Sequence, residues 1–332
     1  MRPSPITLTI DLEADGKRHG HLRLPHSHDE AAWGSIMIPI TVIKNGDGPT
    51  ALLTGGNHGD EFEGPIALWD MARQLEPAEV TGRVIIVPAM NFPAFQANRR
   101  CSPIDGVNMN RSFPGDPAGT VTQKIADYFQ RYLLPLADVV LDFHSGGRTM
   151  DLLPFAAAHI LPDPKQEAAC FAGVRAFGAP YAMRMREIDA NGMYDTAAEE
   201  MGKIFVTTEL RGGGTATPET VSYAKTGARN LLIHSGILKG EIVHRESIWL
   251  SMERDGCFLF CDSPGLVEPH VGLGERVLKG QPLMSIHPIH ATGLEPKVYV
   301  APHDGILAGK LQSCIARMGD NLAVVATIES DG

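Results

Sequence analysis

Two histidines and two glutamates stand where they could hold and use a metal ion. His58 and Glu61, three residues apart in "LLTGGNHGDEFEG", follow a short apolar run and two glycines. His144 follows "VVLDF", and Glu209 comes at the end of "IFVTTEL", separated from "RGGGT" by one residue. A catalytic zinc commonly takes two imidazoles and one carboxylate and keeps a further position for water. It brings the pKa of that water to about 7. A second carboxylate then serves as general base and later protonates a leaving amine. His58, Glu61 and His144 fit the first role, and Glu209 fits the second. Each short motif is common by itself, so the joint placement carries the argument. The glycines around these residues permit tight turns and close backbone approach. A nucleotide site is not supported: the loop after Glu209 lacks a Walker lysine, and neither glycine cluster reads G-x-G-x-x-G.

The elements that must position these residues are apolar runs alternating with helical segments. Ile38–Lys44, Ala51–Gly55, Val84–Ala89, Val139–Phe143 and Ile204–Leu210 are continuous apolar stretches, as expected of strands covered on both faces. Between them, Ile66, Trp69 and Ala72 form a helical stripe. Ile125, Phe129 and Leu133 form another, Phe171, Val174 and Phe177 a third, and Val221, Ala224, Ala228, Leu231 and Leu232 a fourth. The alternation predicts an α/β domain, with helices on both faces of a mixed, largely parallel sheet. In such sheets ligands bind beyond the carboxyl ends of the strands, where all four residues fall. The pattern changes near Gly240, after which only short strands and turns are expected. "GLGERVLKGQPLMSI" (Gly272–Ile286) and "KLQSCIARMGDNLAVVA" (Lys310–Ala326) echo each other at an offset of roughly 40 residues, as in a duplicated module. The expected organisation is a catalytic domain over 1–240 and a small all-β domain, sandwich- or barrel-like, over 241–332.

Composition narrows the partners. Of 332 residues, 43% are hydrophobic and 20% charged, enough for a substantial core without staples. Net charge is −10 with no basic run, which argues against nucleic acid and anionic membrane. No apolar run approaches the ~20 residues of a bilayer span. The first residues lack the pattern of a secretory signal, and five sparse cysteines suit reduced thiols, so a cytoplasmic protein is expected.

The set His58-x-x-Glu61, His144 and Glu209 in "TELRGGGT" resembles the zinc carboxypeptidase fold in its aspartoacylase and succinylglutamate desuccinylase branch. "RRCSPIDGVNMNRSFPG" (Arg99–Gly115) strengthens the resemblance. It implies one zinc per chain on His58, Glu61 and His144, with Glu209 as base. It also implies that Asn110 and Arg111 clamp a substrate carboxylate, a task suited to a planar guanidinium. Arg100, or its neighbour Arg99, would polarise the scissile carbonyl; Arg100 is the choice. Within the branch, the N-terminal block "ITLTIDLEADGKRHGHLRLPHSHDEAAWGSIMIPITVIKNGDGPTALLTGGNHGDEFEGPIAL" resembles the ectoine-degradation deacetylases. That resemblance implies release of acetate from Nα-acetyl-L-2,4-diaminobutyrate, a homodimer, and an ectoine-ring hydrolase as functional partner.

The ammonium of that substrate calls for an acid or carbonyl cage, for which Glu63, Asp116, Asp189 and Asp195 are open candidates. Alternatives are an N-acylaspartate or succinylglutamate-type deacylase, a metallocarboxypeptidase and, outside enzymes, a non-catalytic metal-binding scaffold. Tyr194 is a candidate to reach the pocket from a mobile loop. Cys101 reads as a small filler in the substrate loop. His19, His21, His26 and His28 lack acid or cysteine partners in any metal-binding pattern. The final module resembles a biotinyl/lipoyl hammerhead in "KGQPL" and "APHDGIL" but lacks the carrier lysine hairpin, so a lid or dimer contact is the expected role.

Overall fold

Strong β-formers in unbroken apolar runs give the centre of the computed structural model, which describes residues 2–186 and 191–329. The first strands are β1 (Thr7–Leu8), β2 (Gly16–Pro25), β3 (Ser35–Asn45), β4 (Thr50–Thr54), β5 (Gly82–Val87) and β6 (Val139–His144). They are followed by β7 (Met150–Leu152), β8 (Phe155–His159), β9 (Tyr181–Met185), β10 (Ile204–Glu209) and β11 (Ile248–Ser251). The helices are α1 (Glu63–Gln74), α2 (Phe92–Gln96), α3 (Val121–Tyr128), α4 (Pro164–Phe177), α5 (Tyr194–Glu199) and α6 (Pro218–His234). The central sheet runs β1-β2-β3-β5-β4-β6-β10-β8-β9-β11. Its middle pairs, β5–β4, β4–β6 and β6–β10, are parallel, while β3–β5 and β10–β8 are antiparallel. One apolar core places α1, α4 and α6 on one face, and a second places α3 and α5 on the other. This is the mixed α/β architecture that the alternation of runs predicts.

The stripe expected on α1 is corrected. Ile66 and Trp69 are 42% and 38% exposed, whereas Gly64, Ala67, Leu68 and Ala72 are buried. The reason is steric. A Cβ on Gly64 would lie 2.1 Å from Phe143 of β6, so only the small-residue face can lie this close to the sheet. The stripes of α4 and of the Ile125–Leu133 segment are buried as expected, and on α6 Ala224, Ala228, Leu231 and Leu232 are buried.

Beyond Ile248, among the described residues, there are strands and turns only: β12 (Phe258–Phe260), β13 (Gly265–Pro269), β14 (Arg276–Val277), β15 (Pro282–His287), β16 (Lys297–Val300), β17 (Gly305–Leu311), β18 (Ile315–Ala316) and β19 (Asn321–Ile328). Strands β16-β15-β13-β18 form a separate sheet, and Leu283, Ile286, Leu307, Leu322 and Val325 share a core with others of this region. Two seams join it to the main sheet. β11 pairs with β19, and β7 pairs with β17, setting Leu311 opposite Met150. The second seam brings the module against the loop that follows β6. Among the described residues, no helix is long and apolar enough to cross a membrane.

Candidate metal centre

Parallel register assembles the centre. In the β10–β6 pair Glu209 lies opposite His144, and in the β4–β6 pair Thr54 lies opposite Asp142. The loop leaving β4 carries His58 and Glu61 into α1, so three adjacent strand ends converge. That loop is tied to the next by Gly59 N–H, which donates to Arg99 O at 3.0 Å. Gly59 must be glycine: a Cβ there would sit 2.0 Å from the Ala94 carbonyl carbon.

His58, Glu61 and His144 each offer a ligand atom within 4.8 Å of the others, the one such grouping among the described residues. Glu61 Oε2 lies 3.1 Å from His144 Nδ1 and accepts the Ser145 amide at 3.1 Å. Glu61 Oε1 is buried without a hydrogen-bond partner. The two imidazole rings meet edge-to-face at 5.3 Å. Burial, reinforced by the positive charges of Arg100 and His144, holds His58 well below the usual histidine range, hence neutral and fit to ligate. His144 behaves oppositely. Burial would lower it, but Asp142 and Glu61 on either side outweigh that and hold it well above the usual value. A site that keeps an imidazolium between two carboxylates is one where a dication competes with the proton. Two nitrogens, one carboxylate and an orphaned carboxylate oxygen together fit zinc.

Asp142 was missed in reading the sequence. Its Oδ2 lies 2.8 Å from His144 Nε2, and its Oδ1 accepts from Thr54 Oγ1 at 2.7 Å. It fixes the ring so that Nδ1 faces Glu61, the partner that orients a ligating histidine. The signal was present as an acid inside the otherwise apolar "VVLDF", where a strand covered on both faces tolerates no idle charge.

Glu209 is half-buried, with Oε2 withdrawn from solvent and unpartnered. Burial first, then the charge of Glu61, push its carboxyl up to about 8, against the opposing pull of His144 and Arg100. Both arginines are exposed, but Arg100 Nη1 lies 3.6 Å from Glu61 Oε1, while Arg99 contributes its backbone carbonyl to the Gly59 tie. Of the two arginines, the fold brings Arg100 to the centre. Asn110 is buried, and its Oδ1 accepts the Tyr194 amide at 3.0 Å, fastening the start of α5. Arg111 donates through Nη1 to Asn110 O at 2.6 Å, and its charge adds to the forces that keep His58 neutral.

Tyr194 does not reach the pocket. It is fully buried among Phe113, Phe129 and Phe205, because a tyrosine at the start of α5 faces the core beneath the sheet. Among the ammonium candidates, Glu63 is buried at the start of α1, where burial pushes it up to about 7. Asp116 is exposed and accepts the Ala118 amide, and Asp195 accepts the Thr196 amide. Asp189 lies outside the described residues. His19 Nδ1 lies 2.9 Å from Thr41 Oγ1, and His28 Nδ1 lies 2.9 Å from Glu30 Oε2. Cys101 is half-buried.

A cavity of about 630 Å³ opens on Glu209 and Arg100. Its opposite wall comes from the C-terminal module, including Arg317, Asp320 and Asn321.

The succinylglutamate desuccinylase/aspartoacylase catalytic domain matches residues 47–235, the stretch that contains every residue of this centre. The N-alpha-acetyl-L-2,4-diaminobutyric acid deacetylase of Halomonas elongata is 53% identical over 99% of this chain and 96% of its own length. A product-bound structure of the ectoine utilization protein EutE (DoeB) from Ruegeria pomeroyi is 56% identical, with TM-score 0.97 over 98% of this chain and all of that one. A succinylglutamate desuccinylase structure from Silicibacter sp. TM1040 is 54% identical, with TM-score 0.96 over 99% of this chain and all of that one.

Proposed function

The chain belongs to the succinylglutamate desuccinylase/aspartoacylase family, and from that premise we propose that it is a zinc-dependent deacetylase of Nα-acetyl-L-2,4-diaminobutyrate in ectoine degradation. The observation that carries the hydrolase reading is Glu209, half-buried with Oε2 unpartnered, in register beside the His58–Glu61–His144 set. The acyl group and amino acid rest on the 53% identical deacetylase and the EutE relative.

His58, Glu61 and His144 would hold one zinc per chain. When bound, zinc supplies Lewis-acid polarisation of the amide carbonyl, a more acidic water, and a positive charge that lowers the pKa of Glu209. Arg111, seated by the backbone of Asn110, orients the substrate carboxylate. Arg100 donates to the carbonyl oxygen as charge develops on it, an interaction worth about 100- to 1,000-fold in rate. Glu209 takes the proton from the attacking water and passes it to the departing amine nitrogen, and acetate leaves with the free amino acid. Asp142 keeps the His144 ring fixed throughout.

In this reading residues 1–240 form the catalytic domain and 241–332 a wall over the cavity. The protein works in the cytoplasm as a homodimer, on the product of an ectoine-ring hydrolase. The test is acetate release from Nα-acetyl-L-2,4-diaminobutyrate by zinc-loaded and chelator-stripped protein. Turnover that vanishes with the metal and returns with zinc is expected. Fully metallated protein that is inert on this substrate but active on N-acetylaspartate, succinylglutamate or a blocked dipeptide would overturn the substrate.

A further inference from the structure

The C-terminal module reaches the catalytic cavity at the turn before β19. Asn321, the first residue of that strand, has both Oδ1 and Nδ2 withdrawn from solvent and without a hydrogen-bond partner. Its neighbour Asp320 lines the same cavity; Oδ2 accepts the Arg317 amide at 2.8 Å, which closes the turn. The β7–β17 seam fixes the approach, and Gln312 N–H donates to Thr149 O at 2.9 Å on the catalytic side. Leaving a carboxamide unpaired out of water is costly, so such a group marks a place where a ligand atom belongs.

We infer that Asp320 and Asn321 receive the side-chain ammonium of the substrate and so select a basic amino acid. This rests on the deacetylase reading above and adds the subsite that reading lacks. An ammonium presents three donors and needs acceptors; Asn321 Oδ1 and the Asp320 carboxylate supply them. Arg148 and Arg317 stand exposed on the same cavity. Together with Arg100 they offset Glu209 and Asp320, so both signs of charge face a substrate that carries a carboxylate and an ammonium. Of the ammonium candidates in the described residues, Glu63, Asp116 and Asp195 do not line this cavity, whereas Asp320 and Asn321 share it with Glu209.

The test compares Nα-acetyl-L-2,4-diaminobutyrate with Nα-acetyl-L-2-aminobutyrate, which has the same chain without the amine. Asn321→Leu removes the acceptor, and Asp320→Asn removes the charge while keeping an oxygen for the Arg317 amide. Each variant is expected to lower kcat/KM on the amine-bearing substrate roughly ten- to hundred-fold, mainly through KM. The amine-free substrate should change less than about two-fold, the range expected when no interaction is lost. Equal losses on both substrates, or no loss on either, would overturn the inference. Calorimetry of 2,4-diaminobutyrate and 2-aminobutyrate binding to zinc-loaded wild type and variants decides the subsite without turnover. A wild type that binds the diamine tenfold tighter, with the preference lost in both variants, supports the subsite even if the deacetylase reading fails. A wild type with no preference overturns it.

Discussion

The two near-repeated turns of the C-terminal module share one wiring and differ in what they face. In the first, Leu278 N–H donates to Gln281 Oε1, Gly280 N–H to Ala301 O, and Ala301 N–H to Gln281 O. In the second, Arg317 N–H donates to Asp320 Oδ2, Gly319 N–H to Cys261 O, and Cys261 N–H to Asp320 O. Gly280 and Gly319 both take left-handed backbone, φ 83° and 87°, so the scaffold needs a glycine in each. The next residue differs. Pro282 has no side-chain polar atom, whereas Asn321 carries two unpartnered ones into the wall of the Glu209 cavity. A duplicated turn serves as scaffold in one copy and as ligand surface in the other. The same contrast holds across the molecule. Among the described residues, the unpaired buried carboxylate oxygens belong to Asp60, Glu61, Glu63 and Glu209, all at the strand ends around the metal centre; the module contributes Asn321 and His303.

That contrast can be broken from the catalytic side first. His144→Ala, removing a ligand, is expected to abolish both zinc retention and turnover, read by metal analysis and acetate release. Asp142→Asn keeps the shape but weakens the ring's orientation, and should lower zinc affinity about 10- to 100-fold in a chelator competition. Between the two turns, Gln281→Ala should leave kcat/KM on both acetylated substrates unchanged within about two-fold, whereas Asp320→Asn should not, since only the second turn touches ligand. A loss of selectivity in Gln281→Ala would erase the distinction.

The smallest effect is on stability. Folded Glu209 sits up at about 8 against an ordinary 4.5, so the folded state keeps a proton that the unfolded chain has released between those values. Metal-free protein therefore loses stability from this group as pH rises through that window. Glu209→Gln removes the penalty and should raise the urea midpoint of metal-free protein more at pH 8.5 than at pH 5.

Much of the centre was legible because apolar runs stop abruptly at His58, His144 and Glu209, and a parallel sheet aligns such ends. Asp142 was legible in principle, as an acid inside a buried run. Arg99 and Arg100 are adjacent, and only the folded loop, with Arg99 O tied to Gly59 N–H, shows that it is Arg100 whose guanidinium approaches Glu61. The core face of α1 was misread because large apolar residues suggest burial, while the contact with Phe143 admits only small ones. Tyr194 stands beside turn residues in the sequence, yet it is anchored by Asn110 from a segment more than eighty residues away. Asp320 and Asn321 gained a role only through the β7–β17 pairing, which joins segments with no local signal for each other.

Whether Glu209 is the proton carrier is decided by the zinc content and turnover of Glu209→Gln, measured on the same preparation. One zinc per chain, as in wild type, is expected, with kcat reduced about 100- to 10,000-fold. A variant that keeps its zinc and works within a few-fold of wild type would contradict that role.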